Sequence, residues 1–256
     1  MKFLISADTD IGIKKSTNQD SLLVRKYNSD AGEIVFAVLC DGMGGLSKGE
    51  IASASLLNDF AIWSDTELQN LRFDAQNDEI IKNQWTDIIT FAGKRIMKYG
   101  RQYGIALGTT VTAMLVTSDR YYVLNVGDTR AYEIAEDDIN IITKDHTVVA
   151  REVELGRLTP IEAENDPRRS VLLQCVGASE KIIPDMFFGN TKPNTSYMLC
   201  TDGFRHEITP EEIMQAFSPS LLTSEDIMSQ NIRWLIDLNK SRQEKDNITV
   251  ALIRTY

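Results

Sequence analysis

An apolar run, Ile34-Val35-Phe36-Ala37-Val38-Leu39-Cys40, has the length and the partly β-branched make-up of a strand buried on both faces. It ends in Asp41-Gly42-Met43-Gly44-Gly45. Around it the pattern predicts strands over 2–8 and 22–25, and then two helices. The first starts at Ser47 and places Ala52, Leu56, Phe60 and Trp63 on one face; the second places Ile81, Trp85, Ile88, Ala92, Ile96 and Tyr99. Residues 64–79 between them read as a loop. Residues 109–142 read as antiparallel strands, with hairpin turns at Ser118-Asp119-Arg120 and Glu136-Asp137-Asp138. Strands are expected again over 182–189, 196–201 and 248–253. Thr209-Pro210-Glu211-Glu212 caps one late helix, and Met228, Ile232, Leu235 and Leu238 stripe another. Hairpins dominate and the helices are grouped, which is an α+β layered domain rather than a doubly wound parallel sheet.

Residues 145–181 break this rhythm. A short helix is expected from Thr147, and a second opens at the capping box Thr159-Pro160-Ile161-Glu162 and stops before Pro167. Arg168-Arg169 follows. This is a flap-like excursion from a single domain spanning 1–256, and a surface insertion explains it equally well.

Asp41 stands where a buried strand ends, so its carboxylate is held rigidly, and the glycines after it clear side chains away. Asp-Gly is also a strong turn signal. The motif recurs at Asp202-Gly203, again between a strand and a helix. Asp20, Asp41, Asp128, Asp202 and Asp246 all lie at strand boundaries beside Gly, Asn or Ser. Strand ends of a layered sheet converge on one edge, where unpaired carboxylates repel. Divalent cations relieve that repulsion, and oxygen donors favour magnesium or manganese. Two such ions, roughly 3.5–4 Å apart, can share a bridging water and lower its pKa into the neutral range. The resulting hydroxide could attack phosphorus in line, and the sequence offers no convincing protein nucleophile. Spacing alone leaves plain turns as the other reading.

Composition narrows the classes. The 256 residues carry a net charge of −10, which disfavours nucleic acid or an anionic membrane as the main partner. The three cysteines, Cys40, Cys175 and Cys200, form no close pair and read as buried thiols of a reducing compartment. With only His146 and His206, a histidine-rich zinc site is excluded. The start is too briefly apolar for a signal peptide, and no run reaches membrane-span length, so a cytoplasmic protein is expected.

These motifs, taken in order, resemble the metal-dependent protein phosphatases of the 2C type in their bacterial branch. The resemblance runs nearly end to end, through Asn18-Gln19-Asp20, Asp41 to Gly45, Gly108-Thr109-Thr110, Val126 to Arg130 and Lys144-Asp145-His146. It continues through Gly156 to Gly177, Thr201 to Phe204 and Asp246 to Val250. It implies a four-layer α-β-β-α sandwich of two antiparallel sheets flanked by helices, with two Mn2+ or Mg2+ at one edge. On that mapping Asp41 bridges both ions, the Gly42 carbonyl binds one, and Asp202 and Asp246 bind the other. Asp20 and Gln19 act through metal-bound waters, and Asp128 matches the ligand of a third, looser metal. The implied activity is hydrolysis of phosphoserine and phosphothreonine on proteins, with a cognate Ser/Thr kinase and its targets as partners; a monomer is expected.

Three positions depart from the pattern. Lys15 stands where the family often has a phosphate-gripping arginine, and it lacks bidentate geometry. Met43 stands where some members have a proton-donating histidine. His206 replaces an aspartate of the third metal site and suits manganese better than magnesium. The changes at Lys15 and His206 keep a second reading open: a module of the same fold that binds phosphoproteins with little or no turnover. A third is a phosphatase for a small phosphate ester.

Overall fold

Alternation along one strand sets the layering. In residues 34–40, Val35, Ala37 and Leu39 face one way and Ile34, Phe36, Val38 and Cys40 the other, and all seven are buried. Such a strand needs apolar layers on both sides. The computed structural model of the protein describes residues 1–29, 32–43, 48–71 and 78–256, with residue 69 described by its backbone alone. Gly44, Gly45 and Ser47 lie outside the described residues.

The chain opens with β1 (Phe3–Asp10), β2 (Asp20–Ser29) and β3 (Gly32–Asp41), followed by α1 (Gly49–Thr66) and α2 (Asp78–Tyr103). Four strands come next: β4 (Val111–Val116), β5 (Arg120–Val126), β6 (Arg130–Ile134) and β7 (Ile139–Ile141). The excursion carries α3 (Val148–Glu154) and α4 (Pro160–Asn165). Then follow β8 (Asp185–Asn190), β9 (Ser196–Cys200), α5 (Asp202–Arg205), α6 (Pro210–Phe217), α7 (Glu225–Ser241) and β10 (Ile248–Thr255).

The described strands form two five-stranded sheets, ordered β1-β10-β9-β6-β7 and β2-β3-β4-β5-β8, and the neighbours pair antiparallel. Three apolar layers hold four structural ones. Phe3, Val35, Leu39, Tyr197, Leu199 and Ile253 meet between the sheets. Phe36, Phe60, Trp63 and Trp85 lock α1 and α2 onto the outer face of the β3 sheet, with ring centroids 5.3–6.3 Å apart. Phe204, Phe217, Met228, Ile232 and Leu235 cover the outer face of the β10 sheet. The expected α+β sandwich of two antiparallel sheets flanked by helices is the observed architecture.

Local boundaries shift. Helix α1 runs to Thr66 and a 3-10 turn covers Leu68–Asn70, so only part of 64–79 is loop, and residues 72–77 lie outside the described residues. On α2 the fully buried stripe is Ile81, Trp85, Ile89, Ala92 and Ile96; Ile88 is half-buried and Tyr99 is exposed. Either isoleucine suits a helical period, and the position of the Phe36 sheet decides between them. The capping boxes at Thr159 and Thr209 form as the spacing requires, each hydroxyl accepting from the N3 amide.

Candidate active site

The cross-strand register brings the first carboxylates together. Asp20 opens β2, Asp41 closes β3, and the two are direct partners in the ladder. The Asp41 carbonyl accepts from Thr110 N at 2.8 Å and from Thr109 Oγ1 at 2.9 Å, which fixes the strand end. Gly42 N donates to Gln19 O at 3.1 Å. A Cβ on Gly42 would lie 2.5 Å from both Gln19 O and Gly49 O, so the close backbone approach requires glycine.

The other sheet delivers Asp202 and Asp246. Asp202 follows β9 and begins α5, and Asp246 precedes β10, the antiparallel neighbour of β9. Here a Cβ on Gly203 would meet Asn247 O at 2.1 Å. Thr249 Oγ1 donates to Asp20 Oδ2 at 2.6 Å, tying the two sheets at this edge. Asp128 sits in the turn between β5 and β6, after Gly127 with φ +111°.

Burial and mutual repulsion dominate the electrostatics. Burial, then the charges of Asp202 and Asp246, pushes the Asp20 carboxyl up to about 7 against hydrogen bonds from Thr249 and Thr201. Burial, then Asp20, Asp202, Asp128 and Asp246, holds Asp41 well above the usual carboxylate range. Burial and Asp202 push Asp128 up to about 7, partly offset by Arg205. The five predicted aspartates therefore share one electrostatic field. Among the described residues, no three His, Cys, Asp or Glu side chains are closed up tightly enough to cage an ion as they stand. Lys15 Nζ reaches in instead, 2.7 Å from Asp246 Oδ1. Burial opposes the Lys15 charge, but Asp246, Asp41 and Asp202 outweigh it and hold the ammonium above its ordinary value.

The remaining predicted residues divide. Gln19 Nε2 donates to Glu50 Oε2 at 3.3 Å, and its backbone N donates to Asn247 Oδ1 at 2.9 Å. His206 lies between two carboxylates, with Nε2 3.6 Å from Asp202 Oδ2 and Nδ1 3.4 Å from Glu244 Oε2. Burial works against its charge, and Glu244 and Asp202 nonetheless hold the imidazole above its ordinary value. His146 Nδ1 accepts from Gly127 N at 3.2 Å, and Nε2 lies 3.1 Å from Asp185 Oδ2, which braces the turn before Asp128. In the excursion, Arg168 pairs with Asp166, and Arg169 donates to the Glu164 carbonyl. A cavity of about 830 Å3 separates Asp128 and His206 from Val149, Val153 and Ala163 of the excursion.

Four contributing residues escaped the sequence reading. Asn247 Nδ2 donates to the Ile11 and Thr17 carbonyls at 3.0 and 3.3 Å and so anchors the loop that carries Lys15. Thr249 grips Asp20. Arg205 Nη2 donates to the Asp128 carbonyl at 3.1 Å and lies 3.6 Å from Asp145, itself clamped by Arg130 at 2.8 and 2.7 Å. Glu244 accepts from the Lys245 and Asp246 amides. Asn247 and Thr249 carried a signal, since both lie in the Asp246–Val250 motif, and Asn247 is also an Asx residue at a strand entrance.

Comparison with known proteins agrees with this fold. The sequence profile described as protein phosphatase 2C matches residues 13–236. A Streptococcus pyogenes protein assigned to the 2C type is 30% identical over 251 residues, covering 97% of this chain and 96% of that one. The crystal structure of the serine/threonine phosphatase Stp1 from Staphylococcus aureus superposes with a TM-score of 0.85 at 26% identity, covering 100% of this chain and 96% of that one. The catalytic domain of the serine/threonine protein phosphatase PstP, in complex with two manganese ions, does so at 0.78 and 25% identity, over 99% of each chain. With both sheets superposed and most of its length matched in this way, the chain belongs to the protein phosphatase 2C family.

Proposed function

We propose that this chain is a protein serine/threonine phosphatase that removes phosphate from phosphoserine and phosphothreonine with two divalent cations, manganese or magnesium, held at the shared sheet edge. The observation that carries this reading is the gathering of Asp20, Asp41, Asp128, Asp202 and Asp246 at one sheet edge, where burial and the neighbouring charges of Asp202 and Asp246 raise Asp20 and Asp41, and burial and Asp202 raise Asp128. Such a set is stable in its ionised form only with cations beside it. The donors are all oxygen, which suits magnesium or manganese.

Asp41 and the Gly42 carbonyl would hold one ion, Asp41, Asp202 and Asp246 the other, with Asp20 and Gln19 orienting bound water and Asp128 facing a third position. Bound there, the ions supply an activated water near neutral pH and neutralise phosphate charge. Lys15 is a cation that can turn from Asp246 to the phosphate of the substrate. Thr249 and Asn247 keep the loops of the two sheets in register as it does so. The cysteines are poor nucleophiles. All three are buried, and burial raises the Cys175 thiol, pushes Cys200 up to about 12 and carries Cys40 well above its usual value. The partners are phosphoproteins, among them a cognate Ser/Thr kinase and its targets, and the chain acts as a monomer.

Turnover of a phosphothreonine peptide with manganese, with magnesium and after chelation tests the proposal. Metal-dependent turnover is expected, with Asp202→Asn lowering kcat by about 10²–10³-fold, the scale of losing one transition-state contact. A folded protein with no turnover in either metal would overturn it and leave a phosphoprotein-binding module.

A further inference from the structure

The two aspartates of the β9–β10 side come from distant segments, and one buried carboxylate connects them, bonding the Asp246 amide directly and reaching Asp202 through His206. Helix α7 ends at Ser241, and the chain turns back through Gln243 in the left-handed region, φ 69°. Glu244 N then donates to Asn239 O at 3.1 Å. This turn buries the Glu244 side chain, 7% exposed, behind Asp246. Its Oε1 accepts from Lys245 N at 2.5 Å and Asp246 N at 2.8 Å. Its Oε2 lies 3.4 Å from His206 Nδ1, and the far side of that ring, Nε2, lies 3.6 Å from Asp202 Oδ2. Asn239 Nδ2, bonded to Phe204 O at 2.8 Å, pins α5 to the same helix end.

We infer that Glu244 is a positioning residue for the metal site, aligning Asp246 through two backbone amides and Asp202 through His206. The inference rests on the two-cation reading of the site. It assigns His206 to this bridge rather than to a metal of its own, since Glu244 occupies one ring nitrogen and Asp202 faces the other. A buried carboxylate behind an imidazole fixes the orientation of the ring, and removing such a support costs 10–100-fold in metal affinity in well-studied metal sites. A side chain that merely closed the loop after α7 would alter stability and leave the affinity for the ion unchanged.

Manganese titration calorimetry on the full chain separates these roles. Glu244→Gln keeps a carbonyl oxygen for the two amides but loses the charge that faces His206, and His206→Gln breaks the bridge from the other side. Each is expected to weaken Mn2+ binding by about 10–100-fold. The double variant should be no weaker than the weaker single one, because both cut one connection. The unfolding midpoint in chelator should move little, and phosphopeptide turnover by Glu244→Gln should recover at high manganese. Wild-type affinity in Glu244→Gln and His206→Gln, or fully additive losses, would overturn the inference while leaving the proposed activity intact. A wild-type chain that binds no manganese would overturn both.

Discussion

Lys15 Nζ lies 2.7 Å from Asp246 Oδ1, so a cation from the loop after β1 closes on a carboxylate at the foot of β10. The ammonium is drawn there by Asp246, Asp41 and Asp202 together. On the proposed two-cation reading it would leave Asp246 when cations bind and turn to the substrate phosphate. Lys15→Met is expected to bind Mn2+ more tightly than wild type, by calorimetry, because a competing charge is gone. The same variant should lose about 1.5–3 kcal/mol of binding to the transition state, near 10–100-fold in kcat/KM on a phosphopeptide. Unchanged values in both measurements would remove Lys15 from the site.

The metal-free protein should grow less stable as pH rises. Asp20 and Asp128 bind their protons more tightly folded, near 7, than unfolded, near 3.8. Between about pH 4 and 7 the folded chain therefore holds more protons than the unfolded one, and unfolding free energy falls across that window. His206, whose folded value is also raised, acts in the same direction. Asp166 and Glu212, lowered to about 2 by Arg168 and Arg242, act only in acid below that range. In chelator the thermal midpoint is expected to be lower at pH 8 than at pH 5.5, and excess manganese should reverse the order by binding the ionised carboxylates. A midpoint in chelator that rises towards pH 8 would contradict the shared field.

Gly203 admits no side chain. A Cβ there would stand 2.1 Å from Asn247 O, backbone against backbone, with no flexible group to yield. Gly203→Ala should cost about 1–3 kcal/mol in urea unfolding, the range for overpacking. It should also displace Asp202 from Asp246 and lower metal-dependent turnover more than the stability loss explains. An alanine variant with wild-type stability would mean that the two loops can part freely.

Trp85 is the hub of the helical layer, fully buried, with ring centroids 5.4–6.0 Å from Trp63, Phe36 and Phe60. Trp85→Ala is expected to cost about 3–5 kcal/mol in denaturant unfolding. Because Phe36 lies on β3, five residues before Asp41, activity should fall with the folded fraction and not beyond it. A loss under about 1 kcal/mol would show that the layer repacks around the gap.

Much of this protein was legible before any coordinates. The strand of residues 34–40, the capping boxes at Thr159 and Thr209 and the hairpin turns are local. Their signals come from side-chain period and from turn chemistry within a few residues, and both survive in the unfolded chain as preferences. The aspartates were legible as a class for the same reason, since each marks a strand end. The fold class followed from how these elements are ordered along the chain.

Tertiary structure alone decided which distant positions meet. Ile89 is buried in the Phe36 cluster while Ile88 packs half-buried at its margin, Thr249 of one sheet grips Asp20 of the other, and Glu244 reaches His206 across the end of α7. No periodicity encodes these encounters. They depend on strand register and helix placement summed over the whole chain, where a shift of one residue turns every side chain to the opposite face. The sequence determined which carboxylates stand at strand ends, and the packing of two sheets against each other decided that they share one electrostatic field.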